Sequence, residues 1–123
     1  MALHPAIPIF RMFDPDMARR FYVDWLGFEV LFEHRFDEDA PLYLGLRRDG
    51  FQLHLTEHHG DTTPGTHIRI PVDDIAGFAD EIGDQRYRFA HPGRPEMMPW
   101  GEKSLTLTDP FGNRLTFFNG ETE

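Results

Sequence analysis

Four of the seven histidines of this 123-residue chain, His54, His58, His59 and His67, fall in the stretch FQLHLTEHHGDTTPGTHIRI, residues 51–70. Imidazole is a common metal ligand, and its charge changes near neutral pH. A catalytic zinc centre asks for three protein ligands and one open position. The same side chains can equally line a surface that only binds, and the residues alone leave both readings open. Other chemistry is harder to find. The chain has no cysteine, which excludes thiolate ligands, disulfides and cysteine nucleophiles. Ser104 is the only serine and has no nucleophile motif around it, and no glycine-rich phosphate loop is present. Asp73-Asp74 reads as a helix cap, and Asp37, Glu38 and Asp39 as a solvated acidic loop.

The elements that must position these histidines can be read from periodicity. In DPDMARRFYVDWLGF, Asp14 can cap, Pro15 suits the first helical position, and Ala18, Phe21, Tyr22, Trp25 and Leu26 follow helical spacing up to Gly27. A second helix, DDIAGFADEIGD, starts at Asp73 or Asp74, carries an apolar stripe of Ile75, Phe78, Ala79 and Ile82, and is expected to end at Gly83. Elsewhere the period is two. Leu42, Leu44 and Leu46 alternate with Tyr43, Gly45 and Arg47, and Phe51, Leu53 and Leu55 with Gln52, His54 and Thr56. Asp49-Gly50 joins these two strands as a hairpin. Strands are also expected at residues 28–36, at THIRIPV, and on both sides of DPFGN. Residues 91–101, HPGRPEMMPWG, read as a loop.

The alternation gives the strands two faces. Leu53, Leu55, Ile68, Ile70, Leu105, Leu107, Leu115 and Phe117 are expected beneath the helices. His54, His67, Arg69, Thr116 and Phe118 then lie on the opposite, polar and aromatic face, which suits a ligand groove.

Composition narrows the partners. The formal charge of −9 disfavours nucleic acid, whose phosphates need Lys and Arg, and favours a cationic ligand. No run of about 18 apolar residues exists to span a membrane. The N-terminal MALHPAIPIF lacks the basic region of a signal peptide, so the cytoplasm is the expected location.

The element order repeats. IPIFRMFDPDM corresponds to HIRIPVDDIAG, with Ile7 opposite His67; DGFQLHL corresponds to PFGNRLTF, with His54 opposite Thr116. Each half is a βαβββ module, about 5–58 and about 65–120, within one domain spanning 1–123. With FYVDWLGFEV, TDPFGNRLTF, EHHG and Trp100-Gly101, the chain resembles the vicinal oxygen chelate superfamily of glyoxalases, dioxygenases and bleomycin resistance proteins, and especially the bleomycin resistance branch.

The resemblance implies an α+β fold in which two βαβββ modules form a curled, open, cup-shaped mixed sheet with helices on its outer face. In the family's metalloenzymes the ligands stand at positions that correspond here to Ile7, His54, His67 and Thr116. Only His54 and His67 can ligate strongly, so the expected reading is a binding protein without a cofactor. The alternative is a lyase, isomerase or dioxygenase using one divalent metal. The binding branch implies a homodimer that sequesters a cationic, aromatic antibiotic of the bleomycin type. Candidate ligand-binding residues are Trp100, Tyr43, Phe32, Phe36, His54, His67, Arg69 and Phe118, with Glu57, Asp37, Glu38 and Asp39 as acidic neighbours.

Overall fold

The computed structural model describes residues 1–35, 37–84 and 94–119. The chain divides into two compact units, Met1–Pro64 and Gly65–Glu123. Each holds one four-stranded mixed sheet and one helical segment, so the fold is α+β with two βαβββ modules, as expected.

Unit one contains β1 (Ile9–Arg11), α1 (Pro15–Ala18) with a helical continuation Arg19–Trp25, β2 (Glu29–His34), β3 (Tyr43–Arg48) and β4 (Phe51–Thr56), with sheet order β1-β4-β3-β2. Asp14 is the N-cap, its carboxylate accepting from the Asp16 and Met17 amides, and Pro15 follows it. Arg19–Trp25 is π-helical rather than α-helical, which periodicity did not predict. Its wider turn, with the Leu26 amide donating to the Phe21 carbonyl, accompanies the burial of Phe21, Tyr22, Trp25 and Leu26, two adjacent pairs. Gly27, at φ 77°, ends the segment, and the Tyr22 and Val23 carbonyls accept from Phe28 and Gly27. The buried rings meet edge to face, Phe21 on Tyr22 at 4.8 Å and on Trp25 at 5.3 Å.

The β3–β4 hairpin turns at Asp49-Gly50, where Asp49 takes the left-handed conformation at φ 53°. Leu44, Leu46, Leu53, Leu55 and Phe10 are all fully buried. The edge strand β2 differs: all six of its residues are exposed, Val30, Leu31 and Phe32 included. Glu33 of this strand is tied to Arg19 by an ion pair.

Unit two contains β5 (His67–Val72), α2 (Ile75–Asp84), β6 (Glu96–Met97), β7 (Lys103–Thr108) and β8 (Arg114–Asn119), in the order β5-β8-β7-β6. This is the strand arrangement of unit one repeated, with the first strand parallel to the last in both units. Asp74, rather than Asp73, caps α2: its carboxylate accepts from the Gly77 amide. The helix runs through Gly83 to Asp84 instead of ending at Gly83. The segment read as loop contains β6, which pairs with the start of β7 at Glu96–Ser104 and Met97–Lys103. Cross-strand bonding overrides the low strand propensity of this Pro- and Gly-rich stretch there.

The DPFGN turn is a structural clasp. Asp109 Oδ1 accepts from the Phe111 and Asn113 amides at 2.9 and 2.8 Å, and Oδ2 accepts from the Asn113 side-chain amide at 2.9 Å. Asn113 Oδ1 in turn accepts from the Thr66 amide at 3.3 Å. Gly112, at φ 88°, allows the reversal. The β7–β8 hairpin is thereby tied to the residue preceding β5. At the other end Asn119 Oδ1 accepts from the Ile75 amide and so helps cap α2.

Candidate functional site

Each unit offers one polar sheet face. In unit one, register places Ile9, His54, Gly45 and Phe32 in a single row across all four strands. Residues in one row share a face. Gly45 lacks a side chain, and the Phe32 ring lies over it. That brings Phe32 to 5.2 Å from the His54 ring, edge to face, and stacks it against Tyr43 at 6.1 Å and 7°. The Tyr43 hydroxyl lies 2.8 Å from His54 Nδ1. Burial lowers the pKa of His54, and burial together with the Asp61 carboxylate raises that of Tyr43. Both groups are therefore neutral at pH 7. Three predicted site residues, Phe32, Tyr43 and His54, thus form one aromatic cluster, of which Phe32 is 42% exposed. Phe36 lies outside the described residues.

The remaining unit-one candidates have other duties. Glu57 Oε1 accepts from the Leu42 amide at 3.0 Å and so clasps the start of β3. Asp37 accepts from the Asp39 amide within a turn. His58 and His59 stack on each other in the exposed loop beyond β4, at 5.2 Å and 16°. His58 Nδ1 accepts from the Gly60 amide and faces Asp61 at 3.4 Å.

In unit two, the rows on the polar face are His67, Arg114 and Thr108, then Arg69, Thr116 and Thr106, then Pro71, Phe118 and Ser104. His67 Nε2 is 2.7 Å from Thr116 Oγ1, which is itself 2.8 Å from Thr106 Oγ1. Arg69 lies over the Phe118 ring at 4.4 Å and bonds Glu102 Oε2 at 2.5 Å. Glu102 Oε1 is the one buried side-chain oxygen or nitrogen without a partner among the described residues. Trp100 sits in the turn between β6 and β7, closed by the Gly101 amide on the Met98 carbonyl, and is 66% exposed. Glu102 and Gly45 were not singled out from the sequence. A glycine in the middle of an alternating strand is a signal for close approach; the Glu102 pairing depends on the β6–β7 turn, which had no signal.

Among the described residues, neither unit gathers a complete set of metal donors. Ile7 offers no donor atom, and the Thr116 hydroxyl is engaged by His67 and Thr106. His54 Nδ1 is engaged by Tyr43. Among the described residues no group of three His, Asp or Glu side chains could hold an ion.

Paired βαβββ modules, each with its first strand parallel to its last, define an α+β class of fold. The chain belongs to the glyoxalase superfamily: the model of the family described as "Glyoxalase superfamily protein" matches residues 1–123. Within that superfamily it resembles the bleomycin resistance branch. A bleomycin-binding protein from Streptomyces verticillus, solved with copper(II)-bleomycin, shares 26% identity at a TM-score of 0.71, covering 98% of this chain and 99% of that one. Another bleomycin-binding protein, complexed with bleomycin, shares 26% at a TM-score of 0.68, covering 97% and 100%. The bleomycin resistance determinant of transposon Tn5 has the same fold at 24% identity and a TM-score of 0.71, covering 98% and 100%. No curated protein matches the chain.

Proposed function

We propose that the chain is a binding protein rather than an enzyme. It holds a cationic small molecule with a planar aromatic part, of the bleomycin type, without a metal of its own and without altering it. It acts as a homodimer in the cytoplasm and has no nucleic-acid partner. The observation that carries this reading is the set of exposed rings on and beside polar sheet faces: Phe32 stacked on Tyr43 in one unit, and Trp100 in the other. Such rings stack on planar ligands at low entropic cost. The formal charge of −9 attracts a cation. The unfit donor set argues against metal chemistry, and the two 26%-identical relatives are bleomycin-binding proteins.

The deciding experiment is calorimetric titration with metal-free bleomycin, followed by mass spectrometry of the recovered drug. Binding in the micromolar range or tighter, with the drug unchanged, is expected. No binding would remove the drug assignment, and a modified drug would make the chain an enzyme.

A further inference from the structure

His54 is held at several points. Its amide donates to the Pro8 carbonyl at 3.0 Å, and its ring meets Phe32 edge to face at 5.2 Å and Tyr43 at 5.2 Å. The only side-chain hydrogen bond of the ring among the described residues is the 2.8 Å contact between Nδ1 and the Tyr43 hydroxyl. The direction of that bond follows from acidity. A phenol O–H is a far stronger acid than a neutral imidazole N–H, and the unprotonated imidazole nitrogen is the stronger base. The bond therefore runs from O–H to Nδ1, and the ring proton is left on Nε2. The neutrality of both groups supports this arrangement. Nε2 makes no hydrogen bond among the described residues, and it is not among their buried unpartnered atoms, so it reaches solvent.

We propose that Tyr43 is a positioning residue that fixes the tautomer of His54, and that His54 thereby presents a neutral Nε2–H donor to an acceptor atom of a bound ligand. The ligand class this selects is a planar group that covers Phe32 and carries an amide carbonyl or an unprotonated ring nitrogen at its edge. A cationic ammonium would find no acceptor at Nε2, so the cation of the ligand must be bound elsewhere. The role as donor rests on the binding reading above; the tautomer does not.

The test has two arms. Long-range proton–nitrogen spectra of histidine-labelled protein near neutral pH are expected to show His54 with a bare Nδ1 and a protonated Nε2. Tyr43→Phe keeps the ring but removes the hydroxyl, and should give a mixture of tautomers. A protonated Nδ1 in the wild type, or an unchanged tautomer in Tyr43→Phe, overturns the positioning role. In titrations with metal-free bleomycin, His54→Leu should bind roughly 3- to 10-fold more weakly, the range of one neutral hydrogen bond. His54→Gln, which retains an N–H donor, should recover most of that loss. Tyr43→Phe should lose about 2-fold if half of the population carries the wrong tautomer. Undiminished affinity in His54→Leu overturns the donor role. Failure of the wild type to bind bleomycin removes the drug reading and the donor role together, while the spectra still decide the tautomer.

Discussion

The Phe32 ring occupies the space that a side chain on Gly45 would need: a Cβ built on Gly45 would collide with it, with Cζ at 2.6 Å. The two residues pair directly across β2 and β3. An aromatic ring covering a cross-strand glycine holds both the strand edge and the orientation of the ring. Gly45→Ala must therefore push Phe32 off the sheet. Because Phe32 is on an exposed edge strand, the expected stability loss is modest, about 1 kcal/mol. The loss of Phe32 contact with His54 should weaken ligand binding more than stability. Equal affinity in Gly45→Ala and wild type, measured by calorimetry, would take Phe32 out of the site.

The two tryptophans should separate binding from folding. Trp100 is exposed in a turn and Trp25 is buried. Trp100→Ala should weaken bleomycin binding by about 1–3 kcal/mol with little change in melting temperature. Trp25→Ala should cost about 3–5 kcal/mol of stability as a core deletion. Ligand quenching of tryptophan fluorescence should vanish in Trp100→Ala and fade as salt rises, since screening shortens the reach of the acidic surface to about 10 Å at 0.1 M.

Acid should destabilise the protein through His54. Its folded pKa lies below the ordinary histidine value of about 6.5 because burial penalises the imidazolium. Between the two values the unfolded chain binds the proton and the folded one does not, so stability falls as pH drops below about 6.5 and levels off below the folded pKa. Tyr43→Phe removes the ring's single side-chain hydrogen bond among the described residues, and His54→Leu should flatten this part of the pH profile. Denaturant melts across the acid range provide the check.

Metal content is a direct measure of the donor set. After dialysis, elemental analysis is expected to find no stoichiometric zinc, nickel, manganese or iron. One equivalent per chain, lost in both His54→Ala and His67→Ala, would replace the binding reading with a metalloenzyme.

Assembly follows from the edge strand. β2 exposes Val30, Leu31 and Phe32 together, and among the described residues it is an edge strand of the kind that proteins cover. A homodimer at micromolar concentration is expected. Sedimentation at the 14.3 kDa mass of one chain would contradict it.

Much of this architecture is written in local sequence. Asp14-Pro15, Gly27, the Asp49-Gly50 hairpin and the DPFGN turn act over a few residues, so their chemistry is visible without the rest of the fold. Strand alternation assigned His54 and His67 to the polar face because side-chain direction has a period of two. Matching the two repeats aligned Ile7 with His67 and His54 with Thr116, and the strand registers within each unit agree, Ile9 pairing with His54 as Arg69 pairs with Thr116. What alternation cannot supply is the partner across the sheet. That Phe32 covers Gly45, that Tyr43 engages His54 and that Arg69 is taken up by Glu102 and Phe118 depend on residues 11 to 49 positions apart. Such pairs are set by register and by a turn, and a slip of one residue would change every one of them. The π-helical turn had no sequence signal for the same reason: it accompanies the burial of two adjacent apolar pairs, Phe21-Tyr22 and Trp25-Leu26, an energy that exists only when the helix is packed.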